Sequence, residues 1–312
     1  MITELSILMP CYNNECYGLV ADICAQAESI IRSGRRLKYE VIVADDGSTD
    51  ARAIAANRRI DSLPECTYEL RRRNVGRAAI RNHLAQAASY EWLLFIDSDM
   101  KLRNGSFLKN YIDADSRGAI YGGYEIRGDA NELKGNLRYR YEARYNRNSS
   151  AEERRKSPYS CFHVSNLAIR RSLMLAHPLD GRITRYGHED LLFGKALAHA
   201  GVEITHIDNP VSFEDFESNA DFLAKTEESI EMLYALRGEL DGYSSVISAA
   251  RRIGKAHLKK AFTTAFAMAA KAIKNNLTGN NPSVLLFNIY KLGMFCSIEQ
   301  GKTHDNKPHN CR

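Results

Sequence analysis

The chain predicts an α/β fold: a doubly wound, mostly parallel sheet flanked by helices, followed by a C-terminal helical appendage. Three observations predict it. Trp92-Leu93-Leu94-Phe95-Ile96 is a run of consecutive large apolar residues, the pattern of a strand buried on both faces. Upstream of it, short apolar stretches alternate with helical ones over short connections, which favours right-handed parallel crossovers. Carboxylates then gather where strands stop, as Asp45-Asp46 and as Asp97-Ser98-Asp99, at the ends where open α/β sheets bind ligands.

The first strand covers residues 5–9 and stops at Pro10, which cannot donate to a ladder. A helix follows to about Ser33-Gly34, with the glycine in the C-cap place. The second strand, residues 39–44, ends in Asp45-Asp46-Gly47-Ser48-Thr49-Asp50. Gly47 permits a tight turn, and one of Ser48, Thr49 and Asp50 caps the next helix. Two adjacent acids exceed what capping needs, so Asp45 is expected to face ligand. A third strand at 67–70 leads through Arg73-Asn74-Val75-Gly76-Arg77 into a helix that returns to the central run. Gly76 at that helix start, with Arg73, Arg77 and Arg81 near it, suits phosphate oxygens as well as it suits a solvated face.

Beyond Asp99 come a helix at 106–114 and a strand at 119–126. Its Gly122-Gly123 pair marks a bulge or a ligand pressed against backbone. Residues 132–155 read as a solvated helix and a mobile loop. A strand at 161–169 follows, then Gly187-His188-Glu189-Asp190 before a helix at 191–200, and a last strand at 203–207. Glu189 and Asp190 suit the positive end of that helix, and one of them also suits a general base.

At 312 residues and 44% hydrophobic the chain can bury a full core. The expected organisation is a catalytic domain over 1–215, a helical appendage over 216–300 and a disordered tail over 301–312. No basic leader precedes the first strand and no run of 18 apolar residues occurs, so a cytoplasmic protein is expected. The seven cysteines lack paired metal-ligand spacing and read as reduced thiols. The net charge of +5 is local: no acid occurs between Asp241 and Glu299, where eight basic residues do. In that stretch Leu258, Phe262, Phe266, Ala269, Ile273 and Leu277 form one apolar stripe, with Lys260, Lys271 and Lys274 opposite. Such a helix fits an anionic membrane surface, or it packs its stripe on the catalytic domain. Residues 283–294 are too short to span and make a second interfacial or packing segment.

Taken together, Pro10-Cys11-Tyr12-Asn13-Asn14-Glu15, Asp45-Asp46-Gly47-Ser48-Thr49-Asp50, Arg73-Asn74-Val75-Gly76 with Arg81-Asn82, Asp97-Ser98-Asp99 and Gly187-His188-Glu189-Asp190 resemble, in order, an inverting family 2 glycosyltransferase with the GT-A fold. The resemblance implies a nucleotide-sugar donor, most plainly a UDP-sugar, held by Pro10, Tyr12, Asn13, Glu15, Asp45, Asp46, Asn74, Gly76, Arg81, Asp97 and Ser98. It implies Mn²⁺ or Mg²⁺ on Asp99 with Asp97, Asp190 as general base, and Glu189 orienting the site. Such a hard cation neutralises a leaving diphosphate, and a single displacement needs one carboxylate to take the acceptor proton. Many members place a histidine where this chain has Phe213; His206, seven residues earlier, and Glu214, next door, are the two candidate replacement ligands. The basic tail, outside these motifs, suggests that the acceptor, a glycan or a lipid-linked oligosaccharide, lies at the inner face of a membrane, and no nucleic acid is expected. Two competitors remain. A sugar-phosphate nucleotidyltransferase would need a glycine-rich basic loop after the first strand, which residues 10–15 lack; a non-catalytic membrane or nucleic-acid adaptor would use the basic tail alone.

Overall fold

A computed structural model describes residues 1–145, 150–160, 162–183 and 187–305, with backbone alone for 302–305. In chain order its elements are β1 (Glu4–Cys11), α1 (Tyr17–Arg32), β2 (Lys38–Asp45), α2 (Ala51–Asn57), β3 (Cys66–Leu70), α3 (Arg77–Ala87) and β4 (Trp92–Ile96). They continue with β5 (Met100–Lys101), α4 (Phe107–Asp113), β6 (Ala119–Tyr121), β7 (Tyr124–Ile126), α5 (Leu137–Tyr145), α6 (Ala151–Arg155), β8 (Asn166–Arg170) and α7 (Arg171–Ala176). The chain ends with α8 (Glu189–His199), β9 (Ile204–His206), β10 (Val211–Phe213), α9 (Asn219–Ala235), α10 (Ser245–Lys255), α11 (Lys259–Thr278) and α12 (Val284–Asp305).

These elements form two compact units. The first comprises the described residues of 1–127, 146–184 and 189–215; the second comprises those of 128–145, 185–188 and 216–312. In the first unit a seven-stranded sheet runs in the order β3-β2-β1-β4-β8-β6-β9, with β8 alone antiparallel to its neighbours. Alternate residues of its strands feed two cores. Leu5, Ile7, Met9, Val41, Leu94 and Ile96 pack on one face with α1 and α4, while Leu8, Ile42, Leu93, Phe95 and Leu167 pack on the other with α3, α7 and α8. That two-sided burial explains why the central run lacks any polar alternation.

The stretch expected as one strand over 119–126 is two. It leaves the large sheet at Gly122 and joins a small sheet of order β5-β10-β7. What presses on the glycine pair is protein: a Cβ at Gly122 would lie 2.5 Å from Tyr111 Oη and from Asn166 Nδ2, and one at Gly123 would lie 2.6 Å from the Arg154 guanidinium. The antiparallel β8 begins at Asn166, later than the 161–169 reading, and α8 begins at Glu189 instead of 191.

In the second unit Leu137 of α5 is fully buried with Phe222, Leu223, Phe266, Ile273, Leu277 and Phe287, so α5 is a packed helix instead of a solvated one. The α11 stripe is partly spent inside this unit. Phe266, Ile273 and Leu277 are buried there, whereas Ala269 is exposed and Leu258 is 58% exposed. Gly293 of α12 lets the two helices approach, since a Cβ there would lie 2.3 Å from the Phe266 ring. The tail expected to be disordered from 301 is helical through Asp305, and 306–312 lie outside the described residues. No helix among the described residues is long and apolar enough to cross a membrane.

Candidate active site

The loops after β1 and β2 are tied together by one asparagine. Asn13 sits at a φ of 49°, which asparagine tolerates, and its backbone N–H donates to Ser48 Oγ at 2.7 Å. Its Oδ1 accepts from the backbone N–H groups of Thr49 (2.7 Å) and Asp50 (3.0 Å). Asp50 in turn caps α2 by accepting from Arg52 and Ala53. Beneath this, Asn57 Oδ1 accepts from the Cys16 backbone N–H, and Asn57 Nδ2 donates to the Asn14 carbonyl. Asn14 Nδ2 reaches the Ser98 carbonyl at 2.7 Å, joining the first loop to the end of β4. Tyr12 is left 49% exposed at the top of the loop, behind the half-buried Pro10.

The Asp45-Asp46 pair is absorbed by the protein. Asp45, expected to face ligand, is fully buried: Oδ1 accepts from the Ser48 backbone N–H at 2.8 Å and Oδ2 from Tyr68 Oη at 2.5 Å. Asp46 accepts from the backbone N–H groups of Val75 and Gly76, each at 2.9 Å, and so shapes the loop that carries Asn74. Burial pushes the Asp46 carboxyl up, against the pull of those two donors. Gly47, at a φ of 78°, lies so close to this loop that a Cβ would stand 2.6 Å from the Arg73 carbonyl carbon. Gly76, at 91°, turns the chain into α3 and leaves Asn74 exposed.

At the end of β4 the two acids part company. Asp97 is 9% exposed and accepts from Arg81 Nη2 at 2.5 Å, with Arg77 at 3.7 Å. The same arginines lie 3.7 and 4.0 Å from Glu189 at the start of α8, so they hold the end of β4 and the first turn of α8 together. Glu189 Oε2 is buried without a hydrogen-bond partner among the described residues. Asp99 is half-buried and lines a cleft of about 500 Å³ with Asn14, Glu15, Asp22, Ser98 and Asp215. Next to Glu189, Asp190 accepts from the Val164 backbone N–H at 3.3 Å and pairs with His163 Nδ1 at 3.2 Å. Burial works to raise its carboxyl, but the His163 hydrogen bond and charge, with Arg81 beyond, hold it below the usual carboxylate range. It is therefore ionised at neutral pH.

The sequence profile of glycosyl transferase family 2 matches residues 6–175, more than half of the chain. The chain belongs to that family. An uncharacterized glycosyltransferase of Haemophilus influenzae is 32% identical over 108 residues, a match spanning 34% of this chain and only 40% of the relative. Among solved structures, a mannosyltransferase of Pyrobaculum calidifontis, in complex with GDP-Man and Mn²⁺, aligns over 97% of this chain and 88% of its own at a TM-score of 0.52 and 17% identity. A mannosyl-3-phosphoglycerate synthase of Rubrobacter xylanophilus aligns over 78% and 76%, at 0.50 and 14%. Both share the GT-A fold with this family 2 member.

Two residues suggested as further metal ligands are engaged by the protein's own groups. His206 is fully buried at the sheet edge, three strands from β4, with Nδ1 facing Arg154 Nε at 3.4 Å and Nε2 facing the Pro158 carbonyl at 3.2 Å. Burial first, then the Arg154 charge, lowers its pKa to about 4. Glu214 is held by Arg103 and Lys101 and accepts from Ser212 Oγ, which with the Arg103 pair foremost brings its carboxyl down to about 2. No cluster of three metal-ligating side chains occurs among the described residues. The sequence singles out Arg77 for phosphate oxygens but not for its bridge to Asp97 and Glu189, and it gives no role to Asn14, His163 or Asn57. Asn14 stood inside a quoted motif and Arg77 beside one; His163 and Asn57 carry no local signal, because their partners lie 27 and 41 residues away.

Proposed function

We propose that this protein is an inverting hexosyltransferase that moves one sugar from a nucleotide-sugar, a UDP-sugar foremost, to a hydroxyl of a glycan or lipid-linked acceptor. The observation that carries the reading is the Arg77–Arg81 bridge, because it brings Asp97 of the D-x-D end of β4 and Glu189 of α8 within reach of the same two cations. A donor site and a base are thereby gathered at one end of the sheet. Family membership supports the reaction class, and the motifs it rests on fall at strand ends.

In this reading residues 1–215 bind donor and perform catalysis, and 216–300 form an appendage. Tyr12 offers an exposed ring for the base, and Glu15, Asn13, Asn74, Gly76 and Ser98 border the donor. Asp45 and Asp46 act from within, by fixing the loops. Asp97 orients Arg81 and Arg77. A divalent cation of the kind that needs only one or two protein carboxylates would be held at the cleft. Asp99 is the ligand the chain offers, and the cation when bound supplies charge neutralisation at the leaving group. Asp190 accepts the proton of the acceptor hydroxyl, with His163 fixing the carboxylate's orientation and Glu189 placing the helix start. Transfer takes place in the cytoplasm.

Purified protein is assayed for binding and slow hydrolysis across UDP-, GDP-, dTDP- and CMP-sugars with Mn²⁺, Mg²⁺ or EDTA. The expected result is metal-dependent turnover of one donor, lost in Asp99→Ala. Failure of every donor to bind under every condition overturns the reading in favour of an adaptor.

A further inference from the structure

The second unit holds a cavity of about 550 Å³ that the transfer reaction leaves unused. It lies among the turn after α9, helix α10, the first turn of α11 and the middle of α12, and its volume is that of a pocket for a small molecule. Its walls divide by chemistry. Arg237, Arg251, Lys255 and Lys259 supply cations, while Ile247, Ala250 and Phe295 supply apolar surface.

The cations are not all balanced. Arg251 pairs with Asp241 and Lys259 with Glu299, the two acids of the lining. Arg237 stacks on the Tyr234 ring, 4.2 Å from its centroid, and donates one Nη1 hydrogen bond to the Tyr234 carbonyl, which leaves the rest of its guanidinium fork uncommitted by any carboxylate among the described residues. Lys255 is exposed and has no ion pair among them. No acid other than these two occurs from Asp241 through Glu299, so basic residues are in excess along that stretch.

We infer that this cavity is a binding site for an anionic amphiphile, a phosphate ester on a hydrocarbon chain. Lys255 and Arg237 take the phosphate oxygens, Arg giving a planar fork and Lys a point charge. Ile247, Ala250 and Phe295 receive the first carbons of the chain. A free inorganic anion would leave that floor unused, and a neutral chain would leave the cations unused. A phosphate ester of this kind reaches the protein as a bilayer headgroup or as the carrier of a lipid-linked acceptor; only the second source rests on the transfer reading.

The test uses the full chain and titrates it with farnesyl phosphate, farnesol and inorganic phosphate by calorimetry. Farnesyl phosphate is expected to bind, with the other two weaker by at least about tenfold, the loss of one charge-assisted contact or of the apolar floor. Lys255→Glu and Arg237→Ala are each expected to weaken farnesyl phosphate by about tenfold or more, and Lys255→Arg to restore it. Unchanged Tm in Lys255→Glu, an exposed position, separates this loss from misfolding. Flotation with phosphatidylcholine vesicles, with and without phosphatidylglycerol, then separates the sources: recruitment by the anionic vesicles in competition with farnesyl phosphate identifies the headgroup, and binding of farnesyl phosphate without recruitment identifies a carrier. Equal binding of inorganic phosphate and farnesyl phosphate, no binding of either, or indifference to Lys255→Glu overturns the inference. Donor hydrolysis is measured on the same variants and is expected to be unchanged, so the two readings fail separately.

Discussion

The loops after β2 and after β4 begin alike and end differently. Each follows a buried strand and carries two carboxylates, yet Asp45 and Asp46 are satisfied by Tyr68, Ser48, Val75 and Gly76, whereas Asp97 is held by arginine and Asp99 lines the cleft. The difference lies in who supplies the counter-dipole. After β2 it is backbone N–H groups and a tyrosine hydroxyl of the protein itself, so those acids set loop geometry. After β4 a guanidinium holds one acid and the other lines the cleft, so in the proposed function that pair is divided between architecture and chemistry.

The sharpest way to break the comparison is Asp99→Asn against Asp45→Ala. Asp99→Asn is expected to lower donor turnover by about 10³-fold, the scale of several kcal/mol of charge stabilisation, while thermal denaturation is unmoved. A similar fall is expected for Asp190→Asn, about 10²–10⁴-fold in transfer with donor binding retained, read by calorimetry beside single-turnover rates. Because the Asp190 carboxyl is held below its ordinary value, the acid limb of the activity profile should fall below the usual aspartate range; a limb near neutrality would remove Asp190 from the role.

Asp45→Ala should act on stability, costing about 2 kcal/mol by stranding the Tyr68 hydroxyl and the Ser48 amide, as measured by urea denaturation. The smallest effect is expected for Glu214→Gln. A carboxylate whose folded pKa is depressed stabilises above its unfolded value and loses that contribution as pH falls. The cost should therefore be about 1 kcal/mol at neutral pH, after allowance for half-exposed partners, and should fade as pH drops from 4.5 toward about 2 in acid titrations of wild type and variant.

Much of this arrangement was legible in the chain. The strands β1, β2 and β4 announce themselves by two-sided apolar runs, and the acids by their place at strand ends. What stayed hidden depends on long-range partners. Asp45 reads as outward-facing until Tyr68, on the neighbouring strand, is seen to close over it. His206 reads as a spare ligand until Arg154 and the Pro158 carbonyl claim both ring nitrogens. Gly122-Gly123 reads as a bulge or a ligand contact, because Tyr111, Asn166 and Arg154 arrive from 11 to 44 residues away in sequence, beyond any local pattern.

The antiparallel placement of β8 also bears on how the chain is made. β4 pairs on one side with β1, already synthesised, and on the other with residues 166–170, which follow Ile96 by about 70 residues. At ordinary rates of synthesis that interval lasts roughly 4–14 s, during which an all-apolar strand presents an open edge. Closing it brings Asn166 opposite Ile96, beside the aspartates. The period of greatest exposure to mispairing thus lies between the emergence of the D-x-D end and the arrival of β8, and early termination within it would release a chain whose most hydrophobic strand is unprotected.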